Sequence, residues 1–82
     1  MFLYSLQILS MSGNLLKDVP ETVGNLHYLQ ALVLADNLIE KLPQSIARLR
    51  NLKSLLLHKN HLSTLPREII TLKNLTEVNI YL

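Results

Sequence analysis

A period of 23 residues governs this chain. Leucine stands at positions 6, 29, 52 and 75, and nearly every other apolar residue recurs at the same interval. Equal spacing of this kind is typical of chains that stack one structural unit on the next, not of globules folded around a single site. The period therefore predicts a stack whose function resides in an extended surface.

Three consecutive segments, 6–28, 29–51 and 52–74, are complete copies of one pattern. In the second copy the matching slots hold Leu29, Leu32, Leu34, Asn37, Ile39, Leu42, Pro43, Ile46 and Leu49. Residues 1–5 end an earlier copy, and residues 75–82 begin a fourth. We therefore expect residues 1–82 to be one repeat segment that belongs to a longer stack.

The combined pattern, LxxLxLxxNxLxxLPxxIxxLxx, resembles the leucine-rich repeat family over essentially the whole chain. Its Leu-Pro-x-x-Ile half is similar to the 23-residue intracellular subclass, which includes Ras-pathway and cell-polarity scaffolds. The resemblance implies an α/β fold: a right-handed solenoid with a short parallel sheet on its concave side and short helices or helical turns on its convex side. It also implies a cytoplasmic scaffold or adaptor that binds protein partners in signal transduction.

Each copy opens with a segment that is predicted to be a strand. LxxLxL alternates apolar and other residues, the period-two signature of a strand with one buried side. In the second copy we expect Leu32 and Leu34 to point inward, and Ala31, Val33 and Ala35 to point outward.

An asparagine follows each complete strand segment, at Asn14, Asn37 and Asn60. The asparagine side chain carries an acceptor and two donors, so it can satisfy backbone groups that a bend leaves unpaired. The three side chains are therefore predicted to form a structural ladder along the stack.

Proline begins the second half of each copy, at Pro20, Pro43 and Pro66. Proline fits the first turn of a short helix because its missing amide hydrogen would be unpaired there in any case. We expect one or two helical turns per copy on the outer side of the stack, with the proline in the first turn.

Composition narrows the functional classes. The formal net charge of +2 is too small to argue for nucleic acid by itself, and no run approaches the ~18 apolar residues of a membrane span. Cysteine is absent, which excludes disulfide caps and suits a reducing compartment. We therefore expect protein partners, with no nucleic acid and no membrane span.

No catalytic or cofactor-binding arrangement is predicted. The histidines are His27, His58 and His61, and there is no cysteine to act with them as a nucleophile. The spacing of His58 and His61 would suit a metal on a helix, but both flank Asn60 at a predicted turn, without a third ligand nearby. We expect no enzymatic activity, no cofactor, no metal and no small-molecule substrate.

The outward strand slots carry the predicted binding residues, because folding does not constrain them. Val33 and Leu56 are apolar where a solvated sheet would be polar, and an apolar centre within a polar rim is typical of protein contacts. The alternative is that aliphatic residues merely favour strands. The predicted partner-binding residues are Ile8, Val33, Asp36, Leu56, His58, Lys59 and Tyr81.

Three other roles stay open. The resemblance also allows repeats that regulate a larger signalling enzyme, or that present substrates to a ubiquitin ligase. Separately, residues 42–82 hold six cationic side chains and two acidic ones, a formal +4. The basic group Arg48, Arg50 and Lys53 is either a solvated face or a patch for nucleic acid or anionic lipid.

Overall fold

The computed structural model describes residues 5–80. Its four strands are β1 (Ile8–Ser10), β2 (Ala31–Val33), β3 (Ser54–Leu56) and β4 (Glu77–Asn79). They form one parallel sheet in the order in which they occur along the chain. Leu32 pairs with Leu9 on one side and with Leu55 on the other, so the register of the sheet equals the sequence period. The predicted solenoid fold, with its short parallel sheet, is confirmed.

A short helix separates each strand from the next. The three helices are 3-10 helices, Glu21–Asn25, Gln44–Arg48 and Arg67–Thr71. Segments of five residues suit the 3-10 form, whose hydrogen bonds join residues three apart and which is stable only in short pieces. The prediction of short helical turns is therefore confirmed, and the structure specifies their type.

The prolines stand one residue earlier than predicted. Pro43 is the residue before the second helix, with extended backbone angles (φ −71°, ψ 152°), and Pro20 and Pro66 hold the same place in their copies. The carbonyl of Pro43 accepts the first helical hydrogen bond, from the Ile46 amide over 3.2 Å. The fixed φ of proline suits extended as well as helical backbone, so the ring ends the incoming loop instead of entering the helix.

The first and second helices approach each other closely at a glycine. A Cβ atom on Gly24 would lie only 2.6 Å from the carbonyl oxygen of Ser45. Ser45 is buried, and its hydroxyl donates to the carbonyl of Glu21 over 2.7 Å. The absence of a side chain at position 24 therefore lets these two helices touch through their backbones.

The core lies in the second and third copies. Its completely buried large side chains are Leu29, Leu32, Ile39, Ile46, Leu49, Leu52, Leu55 and Leu57. These coils have a neighbour on both sides, whereas the outer coils of the described segment have a neighbour on one side. Val78 of β4 is accordingly 47% exposed, although it fills the slot of the fully buried Leu55.

Candidate binding face

The side chains that point away from the core form two rows across the sheet, which together we call the outward sheet face. Register places Ser10, Val33, Leu56 and Asn79 in one row, and Ile8, Ala31, Ser54 and Glu77 in the other. Val33 and Leu56 are direct neighbours on the two central strands, and both are partly exposed. Ile8 is 64% exposed at the β1 edge.

Polar groups border this apolar centre on both sides. Ser10 of β1 is exposed beside Val33. On the other side the Ser54 hydroxyl donates to Glu77 Oε1 over 2.9 Å, which holds the carboxylate across β3 and β4. The outward sheet face therefore has a small aliphatic centre between polar ends.

Ala35, which was predicted to point outward, is not exposed to solvent. Ala35 is only 5% exposed. β2 ends at Val33, but hydrogen bonds between coils continue past it: the Gly13 amide donates to the Ala35 carbonyl over 3.1 Å, and the Asp36 amide donates to the His58 carbonyl over 2.9 Å. His58, one copy later in the same slot, is partly buried, and its Nδ1 atom is buried without a hydrogen-bond partner among residues 5–80.

Asp36 and Lys59 adopt an unusual backbone conformation in the turns after the strands, and their side chains are exposed. Both have a φ of 58°, in the left-handed region, and Gly13 holds the same slot with a φ of 73°. The side chains of Asp36 and Lys59 are exposed beside the outward sheet face. Tyr81, the remaining predicted binding residue, lies outside the described residues.

Asn37 connects two coils through four hydrogen bonds. Its Oδ1 accepts from the Leu16 amide over 3.1 Å, and its Nδ2 donates to the carbonyls of Met11, Leu34 and Ala35. The side chain is 4% exposed. A buried amide with all its bonds satisfied fixes the turn after β2 against the turn after β1.

Asn60 repeats this arrangement one coil later. Its Oδ1 accepts from the Ile39 amide over 3.0 Å, and its Nδ2 donates to the carbonyls of Leu34, Leu57 and His58. Asn14 differs: it is exposed, and its Nδ2 bonds only within its own turn, to Met11 and Ser12. Two of the three asparagines thus connect neighbouring coils within residues 5–80.

A second pair of asparagine contacts was missed by the sequence analysis. Asn51 Nδ2 donates to the His27 carbonyl over 2.8 Å, and Asn74 Nδ2 donates to the Arg50 carbonyl over 2.9 Å. Both side chains lie in the turns that lead from a helix into the next strand. The two asparagines are one period apart, which could have predicted these contacts. The first copy has Tyr28 at the equivalent position, so the asparagine is not repeated in all three copies.

Residue types associated with catalysis meet in one shallow depression. Lys17, Leu38, Glu40, His61 and Ser63 line it, on the loops that follow the first three strands. Glu40 and Ser63 are connected only through their backbones, by a Ser63 amide to Glu40 carbonyl bond of 3.4 Å. A nucleophile needs a side-chain hydrogen bond to its base, and none joins Ser63 to His61 in the described part of the chain.

Within residues 5–80 no three histidine, cysteine, aspartate or glutamate side chains are grouped to hold a metal. Over the same range no helix has the length and apolar character needed to cross a bilayer.

Parallel strands at a fixed spacing, 3-10 turns opposite them and buried asparagines at the strand ends define a leucine-rich solenoid. The family model described as a leucine-rich repeat region matches residues 2–82. The chain belongs to the leucine-rich repeat family. Such repeats are typically non-catalytic protein-interaction modules.

Solved structures extend this comparison. A leucine-rich repeat protein of Leptospira interrogans is 38% identical over 95% of this chain, with a TM-score of 0.93. An internalin from Listeria monocytogenes shares the fold, with 21% identity over 92% of this chain and a TM-score of 0.65. The chain spans 20% of the first protein and 28% of the second. Among curated proteins, no sequence matches this chain.

Proposed function

We propose that this chain is a protein-interaction module of an intracellular scaffold or adaptor, and that its partner docks on the outward sheet face, the concave side of the solenoid. Family membership supports an interaction module. The observation that carries the choice of face is the pairing of Val33 with Leu56, two partly exposed aliphatic side chains at the centre of the sheet. The absence of cysteine and the Leu-Pro-x-x-Ile pattern favour the intracellular setting.

The face is preorganised. Ladder hydrogen bonds and the buried Asn37 and Asn60 fix the backbone beneath Val33 and Leu56. Little conformational entropy is then lost when a partner covers these side chains, so a small apolar contact contributes efficiently to affinity. Ser54 and Glu77 at one side, and Ser10 at the other, supply the polar rim that protein contacts require.

The area of the outward sheet face is smaller than that of a complete protein interface. Four strands of three residues cover about 10 Å by 19 Å, or about 200 Å² of sheet. A standard interface takes about 800 Å² from each partner. The outward sheet face of residues 5–80 therefore supplies one section of a docking surface, to which the adjoining turns at Asp36 and Lys59 add polar contacts.

A photo-crosslinking amino acid placed at Leu56 in the intact protein tests this proposal in its host cell. The matched control carries the same amino acid at Ile70, which is 86% exposed on the third helix, away from the sheet. We expect a discrete crosslinked partner from position 56 and a weaker or different pattern from position 70.

The identified partner is then measured against the double variant Val33→Ser and Leu56→Ser. We expect about tenfold weaker binding, since two central apolar contacts are lost. Ile70→Ser, an equally conservative loss of an exposed aliphatic side chain, is expected to leave the affinity unchanged. Unaltered affinity of the double variant would reject the outward sheet face as the docking site.

A further inference from the structure

One edge of the solenoid collects positive charge. The turns that lead from each helix into the next strand, together with the end of the second helix, carry five exposed basic or histidine side chains: His27, Arg48, Arg50, Lys53 and Lys73. We call this set the basic edge. His27, Arg50 and Lys73 occupy the same slot in three successive copies, so their side chains project from equivalent points on neighbouring coils.

The backbone under the basic edge is fixed by hydrogen bonds between coils. The Asn51 and Asn74 side chains hold the His27 and Arg50 carbonyls at 2.8 Å and 2.9 Å. The Lys53 amide donates to the Gln30 carbonyl, and the Lys53 carbonyl accepts from the Glu77 amide. Neighbouring coils in a sheet lie about 4.8 Å apart, so the basic side chains start from closely spaced, rigid positions.

These charges are not neutralised within the described residues. The side chains of Arg48, Arg50, Lys53 and Lys73 make no hydrogen bond or ion pair with any of residues 5–80. Most acidic residues lie elsewhere: Asp18, Asp36 and Glu40 are in the loops after the strands, and Glu21 and Glu68 are in the first turns of helices. Glu77, at the start of β4, accepts a hydrogen bond from Ser54.

We propose that the basic edge binds an acidic peptide segment of a partner protein. The guanidinium groups of Arg48 and Arg50 can each bind a carboxylate through two parallel hydrogen bonds, and Lys53 and Lys73 add two further positive charges. Tyr28, 61% exposed beside His27, offers an apolar ring to a hydrophobic residue within such a segment.

A peptide fits this edge better than a nucleic acid. Proteins that bind duplex DNA through its backbone commonly neutralise about 6–10 phosphates, whereas the basic edge has four permanently charged side chains. Four cations on adjacent coils match a short run of glutamates or aspartates. The basic edge shares no residue with the outward sheet face, so this inference goes beyond the docking surface proposed above and does not depend on it.

Fluorescence anisotropy with a labelled peptide of alternating glutamate and glycine tests the inference on the intact protein. The double variant Arg50→Glu and Lys73→Glu is expected to bind this peptide at least about tenfold more weakly. The matched control, Lys41→Glu and Arg67→Glu, changes the net charge equally at exposed positions away from the basic edge, and is expected to bind within about twofold of the unaltered protein. Val33→Ser with Leu56→Ser is also expected to bind normally.

Three outcomes would overturn the inference. One is an equal loss of binding in the control, which would show that net charge alone attracts the peptide. Another is tighter binding of a labelled oligothymidylate of the same charge, which would assign the edge to nucleic acid. The third is binding no tighter than that of a glycine and serine peptide. Circular dichroism of each variant separates loss of binding from loss of fold. The neutral double variant Arg50→Gln and Lys73→Gln is expected to bind the peptide with intermediate affinity.

Discussion

The side-chain amide of Asn60 donates to the main-chain carbonyl of Leu34, 26 residues earlier, over 2.8 Å. The same nitrogen also donates to the Leu57 carbonyl in its own coil, and Oδ1 accepts from the Ile39 amide. One buried side chain thus satisfies backbone groups of two coils where both strands end. The outward sheet face depends on this junction, because it fixes the end of β3 beside β2.

Replacement of Asn60 by alanine is expected to lower the free energy of unfolding by about 3 kcal/mol, since the Ile39 amide and two carbonyls lose a buried partner. Urea denaturation followed by circular dichroism measures the change. Asn14→Ala serves as the control: its bonds are exposed and lie within one turn, so the expected loss is below about 1 kcal/mol. Equal losses in the two variants would contradict the role of Asn60 as a connection between coils.

The same apolar slot should contribute more to the free energy of unfolding in an inner coil than in an outer coil. Leu55→Ala, at a completely buried site in β3, is expected to cost about 3 kcal/mol. Val78→Ala, in the same slot of β4 but 47% exposed, is expected to cost less than about 1 kcal/mol. Thermal or urea unfolding of both variants provides the comparison, and a Val78→Ala loss as large as that of Leu55→Ala would refute it.

Gly24→Ala is expected to destabilise the chain by about 1–3 kcal/mol, although alanine is the better helix former. The added Cβ would meet the Ser45 carbonyl oxygen at 2.6 Å, and this backbone atom cannot move aside without shifting the second helix. Asn25→Ala, an exposed change in the same helix, is the control and is expected to alter stability by less than about 0.5 kcal/mol. A neutral Gly24→Ala variant would show that the helices separate easily.

The left-handed φ of 58° at Lys59 allows its role in the turn conformation to be separated from its predicted role in partner binding. Lys59→Gly relieves backbone strain and is expected to keep or raise stability by up to about 1 kcal/mol. Lys59→Val places a β-branched residue in the same conformation and is expected to lose about 1–2 kcal/mol. If Lys59 also contacts the partner, Lys59→Gly should weaken binding while the fold stays intact; calorimetry of unfolding and of binding reports both quantities.

The architecture was predictable from sequence because one physical requirement repeats. Leu32 and Leu55 must both be buried, and a spacing of 23 residues places them side by side only if each copy makes one coil. The outward position of Val33 and Leu56 followed from the alternation within each strand. Both predictions depend on periodicity, which a single sequence displays directly.

Features that depend on contact between unlike slots were not predictable in this way. Gly24 and Ser45 occupy different slots in their copies, so no repeated residue predicts their close contact. The burial of Ala35 was likewise not specified by the pattern, which assigned its slot to the outward side. The buried Nδ1 of His58, which has no hydrogen-bond partner among residues 5–80, was not predicted from the period either.

The side-chain bonds that join coils through Asn37, Asn51, Asn60 and Asn74 connect residues 21 to 26 positions apart. If one whole period of 23 residues is duplicated or deleted, each of these donors therefore meets an equivalent acceptor. This holds wherever the duplicated or deleted segment begins. An insertion of any other size inside a strand or its asparagine turn would break bonds on both of its sides. The strands and their asparagine turns can therefore be multiplied only in whole coils, and each added coil lengthens the sheet by one strand and adds new outward side chains.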